Sequence, residues 1–340
     1  MKFDSSLPIK ERIQKRRRQK RRRQLAVMLS LFLVCTFIYV YAAKSSESIE
    51  AMTEDFRSIK FQPSEENVPG NAVKIMDISP EGLIADSSEK AESSNKIASL
   101  KSDLNKYISG FKGIYGIYYL NLTNGDEFGI NESQEYIAAS TVKVPMNLYL
   151  YAKIHEGSVK RDGVLTYMKE DYEEGTGELR YAEFGKQYPI YELSRLSIVK
   201  SDNVATNMLF RFLGKSKVKD FMVRSGGMVV KKDENLSCPR DMALYMKLVY
   251  DFYKKDPVLG KELMGSLEKT EFNERLPALL PKNLRIAHKT GNQVGAIHDV
   301  GIVFADTPYI LSVMSRDVNE EEAFQVVANI SKKVYDHVKQ

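Results

Sequence analysis

From residue 95 onward the spacing of apolar residues changes several times along the chain, and the order of those changes predicts the fold. Ile97 to Lys112 repeats at helical spacing, whereas Gly113 to Leu122 and Asp126 to Ile130 read as two strands. They meet at Thr123-Asn124-Gly125, where Asn-Gly is the strongest short hairpin signal. A long middle reads as helical: Val144 to His155, Ile190 to Lys200, Asn203 to Leu213, Lys215 to Ser225 and Arg240 to Lys255. Strand-like runs return at Leu284 to Thr290, His298 to Ala305 and Tyr309 to Ser315, and an amphipathic helix covers Glu320 to Val338. Strands at both ends around a helical middle predict an α+β fold, with an antiparallel sheet flanked by the terminal helices beside an all-α lobe. A cleft between two such lobes is the expected place for a site.

The segments before residue 95 have a different character. Leu25 to Ala43 is 19 residues without a charge, long enough to span a bilayer as a helix. Residues 1–24 hold eleven cations against Asp4 and Glu11, a surplus of nine, so in a chain of net charge +5 the other 316 residues are net −4. The basic character therefore belongs to one short arm. Cations on the N-terminal side of an apolar span keep that end in the cytoplasm and export the rest, so no nucleic-acid role is expected. An uncleaved, single-pass anchor at 25–43 is the expectation, with Val40-Tyr41-Ala42 leaving a cleaved signal peptide as the competing reading. Residues 44–94, rich in Ser, Glu and Asn, read as an extracytoplasmic stalk, and 95–340 as the exported domain. With Cys35 in the apolar segment and Cys238 the only other cysteine, that domain has no internal disulfide and relies on its core. The four histidines show no ligand spacing, so neither metal nor cofactor is expected.

Candidate chemistry begins where the early strands give way to the first helix of the middle. Ser140-Thr141-Val142-Lys143 places a serine near a helix start and a lysine one turn along on the same face. A serine hydroxyl is a poor nucleophile until a base stands beside it. A lysine lowered toward neutrality by burial can be that base. Two further tripeptides, each present once, fall at boundaries between lobes: Ser201-Asp202-Asn203 between two helical segments, and Lys289-Thr290-Gly291 at the end of a strand.

This ordered set resembles the class A β-lactamases and related penicillin-binding serine hydrolases, across about residues 95–340. The resemblance extends to Ser237-Cys238-Pro239-Arg240-Asp241-Met242-Ala243, which looks like the start of a late helix in that family. It implies the β-lactamase/transpeptidase-like fold, with Ser140 as acylated nucleophile and Lys143 as its base or proton relay. Ser201 would pass a proton to the leaving nitrogen, and Asn203 would hold the substrate amide and the Lys143 ammonium. Lys289 and Thr290 would bind the substrate carboxylate, and the N–H groups of Ser140 and Asn292 the developing oxyanion. The implied partners are β-lactams or the D-Ala-D-Ala ends of peptidoglycan stem peptides. A D,D-peptidase or transpeptidase, or a non-turnover penicillin- or wall-peptide-binding protein, is the alternative. The intact Lys143, Ser201 and Lys289 count against a pure binder.

One departure bears on turnover. The family's loop carrying the glutamate that activates deacylating water spans roughly sixteen residues. Here only Met228 to Leu236 lies between Gly226-Gly227 and Ser237, with Asp233 and Glu234 its only carboxylates. The expectation is efficient acylation, slow release of β-lactams and a solvated Glu234.

Overall fold

A computed structural model describes residues 95–339 of the chain. The basic arm (1–24), the apolar segment (25–43) and the stalk (44–94) lie outside the described residues. Among the described residues no helix is long and apolar enough to cross a membrane.

The sheet is built from both ends of the domain, as the pattern predicts. Strands β1 (Ile114–Asn121) and β2 (Glu127–Ile130) form the hairpin. The Asn121 side chain accepts the N–H groups of Thr123 and Asn124, and Gly125 takes the left-handed conformation at φ +79°. Strands β7 (Ile286–Gln293), β8 (Ala296–Val303) and β9 (Tyr309–Arg316) complete an antiparallel sheet in the order β2-β1-β9-β8-β7. Because β9 pairs with β1, the two ends of the domain close one sheet. Every residue of β8 is buried, which explains why this stretch reads as continuous rather than alternating: both faces of the sheet are covered. One face carries α1 (residues 95–108) and α8 (Glu320–Val338), whose Leu104, Ile108, Val327 and Ile330 join Ile117, Tyr119 and Leu311 in the core. The other carries α6 (Pro239–Lys255), packed on β1, β8 and β9. Each fully buried side chain of this size contributes about 1.5–3 kcal/mol of transfer free energy.

The second lobe surrounds α2 (Lys143–His155), which is buried on every side from Lys143 to Ala152. Around it lie α3 (Ile190–Val199), α4 (Asn203–Leu213), α5 (Lys215–Arg224) and α7 (Leu259–Glu268), with α6 shared between the lobes. Asn147, fully buried on α2, donates to Lys143 O and Ser197 Oγ and accepts from Ser194 Oγ, fastening α2 to α3.

Three features depart from the sequence reading. Helix α7 carries no clear sequence signal, because Gly260 and Gly265 weaken the helical pattern; tertiary packing overrides it. A side chain at Gly260 would run into Tyr253 Cα and Phe252 O, so glycine is what lets α7 approach α6. Strand β7 starts and ends later than expected, so Lys289-Thr290-Gly291 lies inside the strand rather than at its end. Two small sheets carry no periodic signal: β3 (Tyr136–Ile137) with β6 (Leu236–Ser237), and β4 (Val164–Thr166) with β5 (Gln187–Pro189).

Candidate active site

Between β3 and α2 the chain makes one 3-10 turn, Ala139–Val142, which carries Ser140. The turn is reached through Ala139 in the left-handed region, φ +47°, a conformation that costs a non-glycine residue about 1–2 kcal/mol. Neighbouring contacts hold it there. Asn235 Nδ2 donates to Ala139 O at 3.0 Å, Ala138 N–H to Asn235 O at 2.7 Å, and Thr141 Oγ1 to Ala138 O at 2.6 Å. The short loop before β6 thus braces the turn that carries Ser140 by its Asn235, a residue that none of the three motifs contains.

Lys143 follows at the start of α2, only 3 % exposed. Its Nζ donates to Ser201 O at 2.7 Å, Asn203 Oδ1 at 2.9 Å and Ser201 Oγ at 3.3 Å. Burial pulls its pKa down to about 7, against the opposing fields of Asp202 and Glu173. Among the described residues the Ser140 hydroxyl has no hydrogen-bond partner, and all three donors of the Lys143 ammonium are engaged elsewhere. Only the free amine, having given up one of these contacts, can take the serine proton.

Ser201 also sits in the left-handed region, at φ +52°. The next residue explains how it is held: buried Asp202 caps α4 by accepting Ala205 N–H, and its other oxygen accepts the N–H groups of Glu178 and Leu179. A side chain at Gly177 would collide with that carboxylate, so the 176–179 segment closes tightly over the α4 start. Lys289, fully buried on β7, donates to Ser201 Oγ at 3.0 Å and to Thr290 O at 2.9 Å. Desolvation, and then the nearby Lys143 charge, push the Lys289 amine well below its ordinary pKa. The Ser201 hydroxyl oxygen therefore lies between two amines, with its own proton free to donate.

Strand β7 is the open edge of the sheet. Phe304 N–H donates to Arg285 O, which fixes the antiparallel alternation along the ladder. Thr290 and Asn292, facing Asp299 and Ile297, fall in the pairs whose N–H and C=O point away from β8, off the open edge. Gly291 between them runs against the 3-10 turn: a Cβ there would lie 3.1 Å from both Ala138 O and Thr141 Cγ2. The Asn292 backbone thereby comes beside the turn bearing Ser140.

The structure thus brings Lys143, Ser201, Asn203, Lys289 and Thr290 into one connected array, with Ser140 and Asn292 on its border. It also supplies residues the sequence reading missed. Arg275, buried in the loop before β7, donates to His298 O at 2.7 Å and to Asn292 Oδ1, adding a cation behind the β7 edge. Glu173, from the loop between β4 and β5, reaches Asn203 and Asn207. Neither lies in a motif, and a lone charge in a loop gives no signal of its own. His288 is a buried strand residue, bonded to Asp299 and Asn273, in keeping with its place beside Lys289. Glu234 does not enter the array: its carboxylate is 60 % exposed, 3.9 Å from Lys231, while its carbonyl accepts from buried Lys219. Among the described residues no group of three or more His, Cys, Asp or Glu is placed to hold a metal ion.

An α-helical lobe against an antiparallel sheet, with serine and lysines between them, is the architecture of the β-lactamase/transpeptidase serine hydrolases. The chain belongs to the β-lactamase enzyme family, which matches residues 99–338. It is 24% identical over 217 residues to β-lactamase VEB-1 of Pseudomonas aeruginosa, covering 55% of this chain and 72% of that protein. With the extended-spectrum β-lactamase PER-1 of Pseudomonas aeruginosa it shares 22% identity over 276 residues, 72% of this chain and 89% of the relative. Among solved structures, a point mutant of PBP-A in an acyl-enzyme complex with penicillin G superposes with a TM-score of 0.67 at 27% identity. That match covers 71% of this chain and 97% of PBP-A. The TLA-1 extended-spectrum β-lactamase gives a TM-score of 0.66 at 24% identity, covering 72% of this chain and 99% of its own.

Proposed function

We propose that this serine hydrolase is anchored in the cell membrane by residues 25–43 and works on the outer side. There Ser140 is acylated by β-lactams and by D-Ala-D-Ala ends of wall peptides, and β-lactam adducts are released slowly. The observation that carries the reading is the buried array itself, with the Lys143 amine lowered to about 7 within one helical turn of Ser140. Ser140 Oγ attacks the substrate carbonyl as its proton passes to the free amine of Lys143. The carbonyl oxygen gains negative charge, met by the N–H groups of Ser140 and Asn292. Collapse breaks the C–N bond, and the leaving nitrogen takes the Ser201 hydroxyl proton, which the flanking amines replace. Lys289 and the Thr290 hydroxyl receive the substrate carboxylate, with Arg275 reinforcing the field, and Asn203 holds the acylamino carbonyl.

PBP-A, whose mutant was captured as an acyl-enzyme with penicillin G, supports the acylation step. The exposed Glu234 favours a wall peptidase over an efficient β-lactamase, since a departing peptide opens the site to water whereas the tethered β-lactam nitrogen blocks it. Intact-mass measurement on the full-length protein is expected to show one penicillin added per chain. A mass that stays unchanged on prolonged incubation, with no hydrolysed product, would overturn the reading. Protease added to spheroplasts is expected to remove the catalytic domain while residues 1–24 stay protected. A mature protein beginning near Ala43 in the medium would instead make the apolar segment a cleaved signal.

A further inference from the structure

Glu173 has no part in the mechanism above, yet it is held against Asn203, a member of the array. Oε2 accepts from Asn207 Nδ2 at 2.7 Å, and Oε1 accepts from Asn203 Nδ2 at 3.3 Å. Asn203 Nδ2 also donates to Glu174 O at 3.0 Å, so both of its hydrogens are engaged. Both donors to Glu173 are neutral amides, and it forms no ion pair among the described residues. Its negative charge therefore stands uncompensated at short range, on an exposed loop that leaves it open to a ligand. Asn203, which donates to it, also accepts from Lys143 Nζ at 2.9 Å, so one side chain links Glu173 to the array.

Substrate binding changes this arrangement in one definite way. When an acylamino carbonyl takes a hydrogen of Asn203 Nδ2, the longer contact, to Glu173 Oε1, is the one that yields. The tighter bond to Asn207 keeps the carboxylate where it is. One carboxylate oxygen is then left without its donor, beside the substituent next to the bound carbonyl. A cation on that substituent restores the lost interaction with a charged one, whereas an anion is repelled.

We propose that Glu173 is a specificity-determining residue, selecting substrates whose acyl substituent carries a primary ammonium next to the amide held by Asn203. The inference rests on the acyl-transfer reading above. It would make amine-bearing wall peptides better substrates than acidic ones at the same scissile bond.

The test uses the full-length protein and three penicillins that differ at one place on the side chain: aminomethyl, hydrogen or carboxymethyl. An aliphatic amine stays protonated at neutral pH, as lysine does. The second-order acylation constant is expected to fall in that order, by about tenfold from first to last, as two partly exposed charge interactions of ordinary size would give. The spread should narrow at high salt. Normalised to the unsubstituted penicillin, Glu173→Gln should bring the three rates together, and Glu173→Lys should reverse their order. Equal rates in the wild type would overturn the proposal. So would a Glu173→Gln protein in which all three fall by one common factor, since that is the signature of a brace on Asn203 or of a field acting only through Lys143. Failure of all three to acylate would sink the parent reading and this inference with it, and is told apart by the absence of any adduct.

Discussion

Lys143→Ala is expected to slow acylation of Ser140 by roughly 10²–10⁴-fold, the usual cost of removing a positioned general base, while Ser140→Ala should carry no adduct at all. The case for Lys143 rests on two properties. It is buried, which brings its pKa to about 7, and it is already held one helical turn from the nucleophile. At neutral pH a substantial fraction is the free amine, which has given up one of its three contacts and can accept a proton there. The pH dependence follows with a definite sign: the basic fraction grows as pH rises through about 7, so acylation should climb across that range and level off above it. Stopped-flow acylation of wild type and Lys143→Ala, from mildly acid to mildly alkaline pH, checks both claims. A mutant that keeps the wild-type rate, or a wild type with no such limb, would remove Lys143 from the role of base.

Once formed, the penicillin adduct is expected to persist for minutes or longer. Deacylation needs a water activated from a fixed direction, and the loop that would supply the carboxylate is short here. What it does instead is visible in its contacts. Asp241 accepts the N–H groups of Met228 and Val229, Lys219 holds Glu234 O, and Asn235 braces Ala139 O. These contacts pin the loop and, through Asn235, the turn that carries Ser140, while the Glu234 carboxylate is directed into solvent. Glu234→Gln should therefore change the decay of the adduct little, as followed by intact mass after removal of free penicillin. Turnover of a chromogenic cephalosporin at roughly 10² per second, in the ordinary enzymatic range, and its loss in Glu234→Gln would show that the short loop supplies the base after all.

The parts of this site that the sequence disclosed are those whose geometry is local. Ser140 and Lys143 are one turn apart, Asp202 is a cap, and Lys289-Thr290 ride on a strand, so each motif is legible by itself, while their meeting across 58 to 88 positions is implied only by the family resemblance. The hidden parts act across the fold. Glu173 reaches Asn203 from thirty positions away, and Arg275 reaches Asn292 from another loop. Their partners are set by topology, which no window of residues contains. The same limit explains α7. Its glycines read as interruptions until α6 is in place, and then one of them becomes the condition for packing. Strands β3 and β6 are two residues each, too short for any alternation, yet they fix the approach to the nucleophile turn.

The buried amines also enter the thermodynamics of folding. In the unfolded chain Lys143 is a protonated lysine up to its ordinary pKa of 10.5, whereas in the folded domain it loses its proton from about 7 upward. Between those two values the unfolded state binds the extra proton, so folding expels one, and stability rises with pH by up to about 1.4 kcal/mol per unit. Below about 7 both states hold the proton and this gain is gone. Lys289, also shifted downward, contributes with the same sign. As far as these two amines set it, folding is favoured least at the pH where Lys143 is fully protonated, and it gains as the free amine appears.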